Sequence, residues 1–177
     1  MKYIQSILII CLLQVSIIHL ANAQPPVKTS TLLELAYLNA TAENKAVLTI
    51  FHASWCSWCK KLDASLNDKA LKPYFDKNYI IVHITVLETD ENKKLENPGG
   101  SALLAKYKGE NEGLPFFVLS DHKKKLIGTS LMNGKNIGCP ASEKEVKYFI
   151  GLLKKSSPLL PTEAALITKR FKQNEVK

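Results

Sequence analysis

The sequence predicts an α/β fold: a mixed sheet of four to five strands with helices on both faces. Helix-like and strand-like segments alternate along the chain, which is the pattern of a layered α/β domain. Within that alternation, Tyr79-Ile80-Ile81-Val82-His83-Ile84-Thr85-Val86 is a nearly continuous apolar run, as a central parallel strand requires. Two shorter runs, Pro115 to Leu119 and Lys125 to Thr129, flank a tight polar turn and read as adjacent strands.

Taken in order, Thr31 and Glu34 stand at capping-box spacing, and Leu32, Leu33, Leu35, Ala36 and Leu38 carry helical periodicity to about Asn44. Ala46 to His52 is β-branched and aromatic and predicts a buried strand; Lys60 to Asn67 predicts a helix. Leu71 to Lys77, interrupted by Pro73, predicts a kink or a short second helix. Glu88 to Gly100 is polar and ends in Asn97-Pro98-Gly99-Gly100, after which Ser101 to Lys108 predicts a short helix stopping near Gly109. Ser142 and Glu145 repeat the capping-box spacing and open a helix to about Lys155, with Val146, Phe149, Ile150, Leu152 and Leu153 on its apolar side. Pro158 and Pro161 break the chain before a last short helix, Thr162 to Gln173, and a polar tail.

Residues 1–23 read as a secretory signal. Lys2 supplies the positive start, Ile7 to Leu13 the apolar stretch, and Ala21-Asn22-Ala23 a small-x-small cleavage site before Gln24. An uncleaved membrane anchor is the alternative reading of the same segment. Cys11 follows Ile9-Ile10 rather than small residues and is not read as a lipid-attachment site. Removing 23 of 177 residues leaves 154, which suits one domain with a sizeable core, placed at 24–157, with 158–177 as a C-terminal extension. Export predicts a periplasmic or otherwise extracytoplasmic location, where thiols meet oxidising conditions.

The formal net charge is +8, and loss of Lys2 leaves 23 basic against 16 acidic residues, or +7. The basic residues are scattered, with runs at Lys123-Lys124-Lys125 and Lys154-Lys155, and read as a solvated surface. No basic stripe interleaved with aromatics points to nucleic acid, and nothing predicts a dimer, so a monomer is expected.

The chemistry-bearing segment is Trp55-Cys56-Ser57-Trp58-Cys59-Lys60-Lys61, two thiols one helical turn apart where a strand gives way to a helix. Unpaired N–H groups and the positive end of the helix dipole favour a thiolate there, so the Cys56 pKa is expected below the free value of about 8.5. Cys56 is then the nucleophile, with an accessible sulfur, and Cys59 the resolving thiol that displaces a mixed disulfide; no cofactor is needed. The spacing also matches half of a zinc site, but no second Cys-x-x-Cys or His-x3-His completes it, and no metal is expected. Two alternatives stay open: a copper(I) or redox-linked binding module using Cys56, Cys59 and His52, and an interaction protein in which the pair is a structural disulfide. His52, four residues before Cys56, is read either as a proton shuttle or as a packed, hydrogen-bonded histidine, the second being preferred. Cys139, the odd thiol, is read either as a partner-linked disulfide or redox relay or, preferentially, as a buried or free cysteine outside the chemistry, with a pairing to Cys56 left open.

The order of elements, the Trp-Cys-x-x-Cys-Lys after the first strand and Gly113-Leu114-Pro115 before the third resemble the thioredoxin superfamily over roughly Leu32 to Leu153. Phe51 to Leu62 is most similar to exported bacterial thioredoxin-like proteins. The resemblance implies a thiol–disulfide oxidoreductase of the cell envelope, with Cys56 attacking and Cys59 resolving. It implies disulfide-containing or dithiol protein substrates and a membrane or envelope redox partner. It implies a cis bond at Pro115 facing the dithiol, Leu114 presenting its backbone to an extended substrate, and Trp55 shielding the sulfurs. An X-Pro bond is also the one kind that readily goes cis, and its lack of an N–H keeps a donor away from the sulfurs. Trp58 departs from the proline or histidine of many relatives, and either shields Cys59 and meets substrate or packs the helix start. Ile50 stands where thioredoxins proper carry a buried aspartate, so the proton of Cys59 must pass to water or another acid–base group.

Overall fold

The computed structural model describes residues 25–175; the predicted signal at 1–23, and Cys11 within it, lie outside them. The elements run α1 Thr29–Glu43, β1 Ala46–His52, α2 Ser57–Leu66, α3 Lys72–Asn78, β2 Tyr79–Thr85, a 3-10 turn Asp90–Leu95, α4 Gly100–Lys106, β3 Phe116–Ser120, β4 Leu126–Thr129, β5 Leu131–Met132, β6 Lys135–Asn136, α5 Glu143–Ser156 and α6 Pro161–Lys172. Four strands form one mixed sheet in the order β2-β1-β3-β4, and β5 pairs with β6 in a separate small hairpin. β1 runs parallel to β2 and antiparallel to β3, with Ile50 opposite His83 on one side and Phe117 on the other.

β1 is buried along nearly its whole length because both sheet faces are covered. Its side chains alternate. Ala46, Leu48 and Ile50 join Phe117 and Leu119 of β3 beneath α2, α3, α5 and α6, in a cluster that includes Leu62, Phe75, Phe149 and Phe171. Val47 and Phe51 point to the opposite face, where Ala36 and Ala40 of α1, Leu104 of α4, and Phe116 and Val118 cover them. Each fully buried Phe or Leu contributes about 1.5–3 kcal/mol by removal from water. The last helix belongs to this core: Ile167 and Phe171 are fully buried, and the Phe171 ring lies 5.1 Å from that of Phe149.

The structure departs from the sequence reading at several ends. α1 begins at Thr29, two residues before the expected capping box, and Lys28 at its N-cap makes no side-chain bond. Its start is fixed by tertiary contact instead, the Thr29 N–H donating to the Pro98 carbonyl at 3.0 Å. α2 begins at Ser57 rather than Lys60 because Cys56 itself caps it. The polar segment after β2 contains a 3-10 turn, and the β5–β6 hairpin was not expected. The second capping box forms as read, Ser142 accepting from the Glu145 N–H and Glu145 accepting from that of Ser142.

Candidate active site

α2 presents Cys59, Leu62 and Leu66 inward, an i, i+3, i+7 pattern that seats its N-terminal turn against the end of β1. Cys56 occupies the N-cap with extended backbone, and its Sγ accepts the Cys59 N–H at 3.1 Å. The two sulfurs are joined in a disulfide, S–S 2.01 Å. Such a pair is a two-electron couple, able to exchange with thiols and disulfides outside it.

The expected exposure of the Cys56 sulfur is not found: Cys56 and Cys59 are each 2 % exposed. Ala53 lies in the same cluster, and Leu114 packs against it. The apolar surface of the motif is presented by the tryptophans, Trp55 at 54 % and Trp58 at 36 % exposure. Trp55 donates its Nε1–H to the Leu87 carbonyl at 2.8 Å, and the Lys61 ammonium sits 4.1 Å above the Trp58 ring.

The Leu114-Pro115 peptide bond is cis, as expected. Leu114 and Pro115 line a groove of about 400 Å³ together with Trp58, Glu112, Gly138 and Cys139, so the motif and the loop before β3 share one surface. Cys139 is a free, buried thiol rather than a partner of Cys56. The Asn174 side-chain amide donates to its Sγ at 3.3 Å, and burial pushes its pKa up to about 12.

His52 lies on the same sheet face as Ile50, and its ring contacts are structural. Its Nε2 is 3.2 Å from the Thr85 hydroxyl, and its ring meets that of His83 edge-on at 5.2 Å. His83 Nε2 in turn pairs with Asp63 of α2 at 2.8 Å. Burial, reinforced by the neighbouring His83, holds the His52 pKa below its ordinary 6.5. Ile50 is packed in the apolar core, 1 % exposed.

Two residues that sequence reasoning missed organise this region. Glu88, 6 % exposed, accepts the Ser54 N–H at 2.6 Å and the Ser54 hydroxyl at 2.7 Å, tying down the loop that carries Trp55 and Cys56. Asn136 bonds to the loop before β3, its side-chain amide donating to the carbonyls of Glu112, Gly113 and Pro115. Glu88 had no local signal, being one acid among many in a polar stretch. The hairpin carrying Asn136 did have one: Asn133-Gly134, both at positive φ, is the residue pair that two-residue hairpin turns favour.

Among solved structures, the chain is similar to a disulphide isomerase from Xylella fastidiosa Temecula1, with 20 % identity, 82 % of this chain and 89 % of that one covered, and a TM-score of 0.50. It is also similar to the oxidised DsbD C-terminal domain of Neisseria meningitidis (20 % identity, 75 % and 99 % covered, TM-score 0.46) and to a thioredoxin from Thermus thermophilus (17 %, 73 % and 85 %, 0.45). No curated protein matches the sequence. The family model described as thioredoxin-like matches residues 30–121, a span that holds the β1–α2 junction, both motif cysteines and the cis Pro115. With more than half of its length matched, and with a closed Cys-x-x-Cys pair at the head of α2, the chain belongs to the thioredoxin-like family.

Proposed function

We propose that the protein is a thiol–disulfide oxidoreductase acting on exported proteins, with Cys56 as the attacking sulfur and Cys59 as the resolving one. The Cys56–Cys59 disulfide at the N-terminus of α2, covered by Leu114, is the observation that carries this reading. In the reducing direction the Cys56 thiolate attacks one sulfur of a substrate disulfide, forming a mixed disulfide and releasing the other substrate sulfur as a thiolate. Cys59 then loses its proton and attacks the Cys56 sulfur, which closes the internal disulfide and releases the second substrate thiolate. Two electrons pass from the dithiol to the substrate, and both released thiolates take up protons. The oxidising direction is the same sequence reversed.

The Cys59 N–H donates to the Cys56 sulfur and favours its charged form, as does the N-terminal end of α2. Ile50 offers no proton acceptor, so the Cys59 proton passes to water or to another acid–base group. Trp55, Trp58, Leu114 and Pro115 form the surface that a substrate segment meets, while His52 packs at the end of β1 against Thr85 and His83.

Residues 1–23 are proposed as the export signal and the rest of the chain as one domain, a protein handling disulfide-containing or dithiol substrates and exchanging electrons with an envelope partner. The test is Cys56-dependent reduction of insulin by the chain beginning at Gln24, with N-terminal sequencing of the exported product. Activity that survives Cys56→Ser would overturn the chemistry, and a product still carrying residues 1–23 would overturn the signal.

A further inference from the structure

The geometry points to Asn136 as a positioning residue that fixes the register in which an extended substrate segment pairs with Leu114; this rests on the oxidoreductase reading above. Asn136 ends the β5–β6 hairpin, outside the main sheet and 21 residues beyond Pro115. Its Nδ2 donates to the carbonyls of Glu112 at 3.1 Å, Gly113 at 3.0 Å and Pro115 at 3.0 Å. An amide nitrogen carries two N–H bonds, so three acceptors share them, and the three carbonyls are drawn towards one point. The contact is reciprocated: Glu112 Oε2 accepts the Asn136 N–H at 3.1 Å, and Asn136 Oδ1 accepts that of Gly138 at 3.0 Å. Gly138, at φ +55°, lies against Pro115, and a Cβ there would sit 3.5 Å from the Pro115 carbonyl oxygen.

The consequence falls on the residue left between the bonded carbonyls. Among the described residues, neither the N–H nor the C=O of Leu114 has a hydrogen-bond partner, whereas the carbonyls on either side are occupied. An approaching extended chain that adds backbone hydrogen bonds to this edge therefore finds its free donor and acceptor on Leu114, beside the disulfide that Leu114 covers. A slip of one residue towards Pro115 would meet a carbonyl already held by Asn136 and no N–H at all, and would turn every substrate side chain to the other face. Asn136 touches neither sulfur; it acts through the loop.

The test compares Asn136→Ala, Asn136→Ser and Asn136→Asp with the unmodified protein. With insulin as substrate, Asn136→Ala is expected to raise KM about fivefold with kcat little changed, the loss of roughly one net hydrogen bond. Asn136→Ser, which keeps one donor, is expected to fall between and provides the reading if the alanine variant folds poorly. Asn136→Asp keeps the acceptor for Gly138 but sets a carboxylate against three carbonyls, so it is expected to be the worst near neutral pH. Relative to the unmodified protein it should recover at acid pH, as the carboxyl gains a proton to donate. The reduction potential of the Cys56–Cys59 pair and the rate with 5,5′-dithiobis(2-nitrobenzoic acid), which has no peptide backbone to align, should stay unchanged in all three. An unchanged insulin KM, or parallel changes in potential and small-disulfide rate, would overturn the proposal. Failure of the unmodified protein to reduce insulin would instead overturn the oxidoreductase reading itself.

Discussion

The backbone N–H of Cys59 donates to the sulfur of Cys56 across 3.1 Å, yet both residues are 2 % exposed. A sulfur held ready by its helix is thus covered by its neighbours, and Leu114 is the partly buried side chain packed against the cluster that Cys56 and Cys59 form with Ala53. Replacing Leu114 with Ala is expected to speed reduction of the disulfide by dithiothreitol severalfold, because exchange requires the attacking thiolate to reach a sulfur along its S–S axis. Stopped-flow tryptophan fluorescence gives the rate. An unchanged rate would show that another group limits access.

The Glu88 carboxylate holds Ser54 with both oxygens, at 2.6 and 2.7 Å, from a site 6 % exposed. Glu88→Ala leaves the Ser54 N–H and hydroxyl without their partner and is expected to destabilise the oxidised protein by about 2–4 kcal/mol. Glu88→Gln, whose amide oxygen still accepts one bond, should cost about half of that. Urea unfolding measures both.

Cys139 is buried beneath α6, bonded by Asn174, and its pKa is pushed up to about 12 by desolvation. In the folded, reduced protein its thiol stays protonated and is expected to resist iodoacetamide near pH 8, while Cys56, whose thiolate the Cys59 N–H favours, reacts; Cys139 is labelled only after unfolding. Peptide mass mapping reads the order. The raised pKa also sets a sign: stability from this group is present below the unfolded value of 9.0 and is lost as pH rises towards 12.

His52 runs the other way. Its folded pKa lies below 6.5, chiefly by burial and then by the charge of His83, with Asp63 and Glu88 opposing. The unfolded chain therefore binds this proton more readily, and stability is full above 6.5 and falls as pH drops through that value towards the folded one. Urea midpoints taken from about pH 8 to about pH 5 should decline, and His52→Asn should flatten the decline. An identical decline in the variant would assign the effect to other groups.

The fold was legible where burial writes itself into local pattern. β1 reads as a strand because both its faces are covered, and α5 because Ser142 and Glu145 close its capping box; β2, whose apolar run predicts a central strand, is the edge strand of the sheet with its middle residues half-buried. The helix starts that failed, at Thr29 and Ser57, are set by Pro98 and by the Cys56 sulfur, contacts that propensity does not encode. The candidate site divides the same way. Cys56, Cys59 and Pro115 stand out in one dimension. Glu88 and Asn136 emerge only when loops 34 and 21 residues away from them fold alongside, and the covering of the sulfurs by Leu114 is likewise a tertiary fact.

The most direct measurement is to trap the intermediate. Reduced Cys59→Ser protein is mixed with oxidised insulin, quenched with acid and resolved by non-reducing electrophoresis and mass spectrometry. The account predicts a mixed disulfide through Cys56 that accumulates in this variant and is missing in Cys56→Ser. Accumulation through Cys139, equal trapping by both variants, or no adduct with either would contradict it.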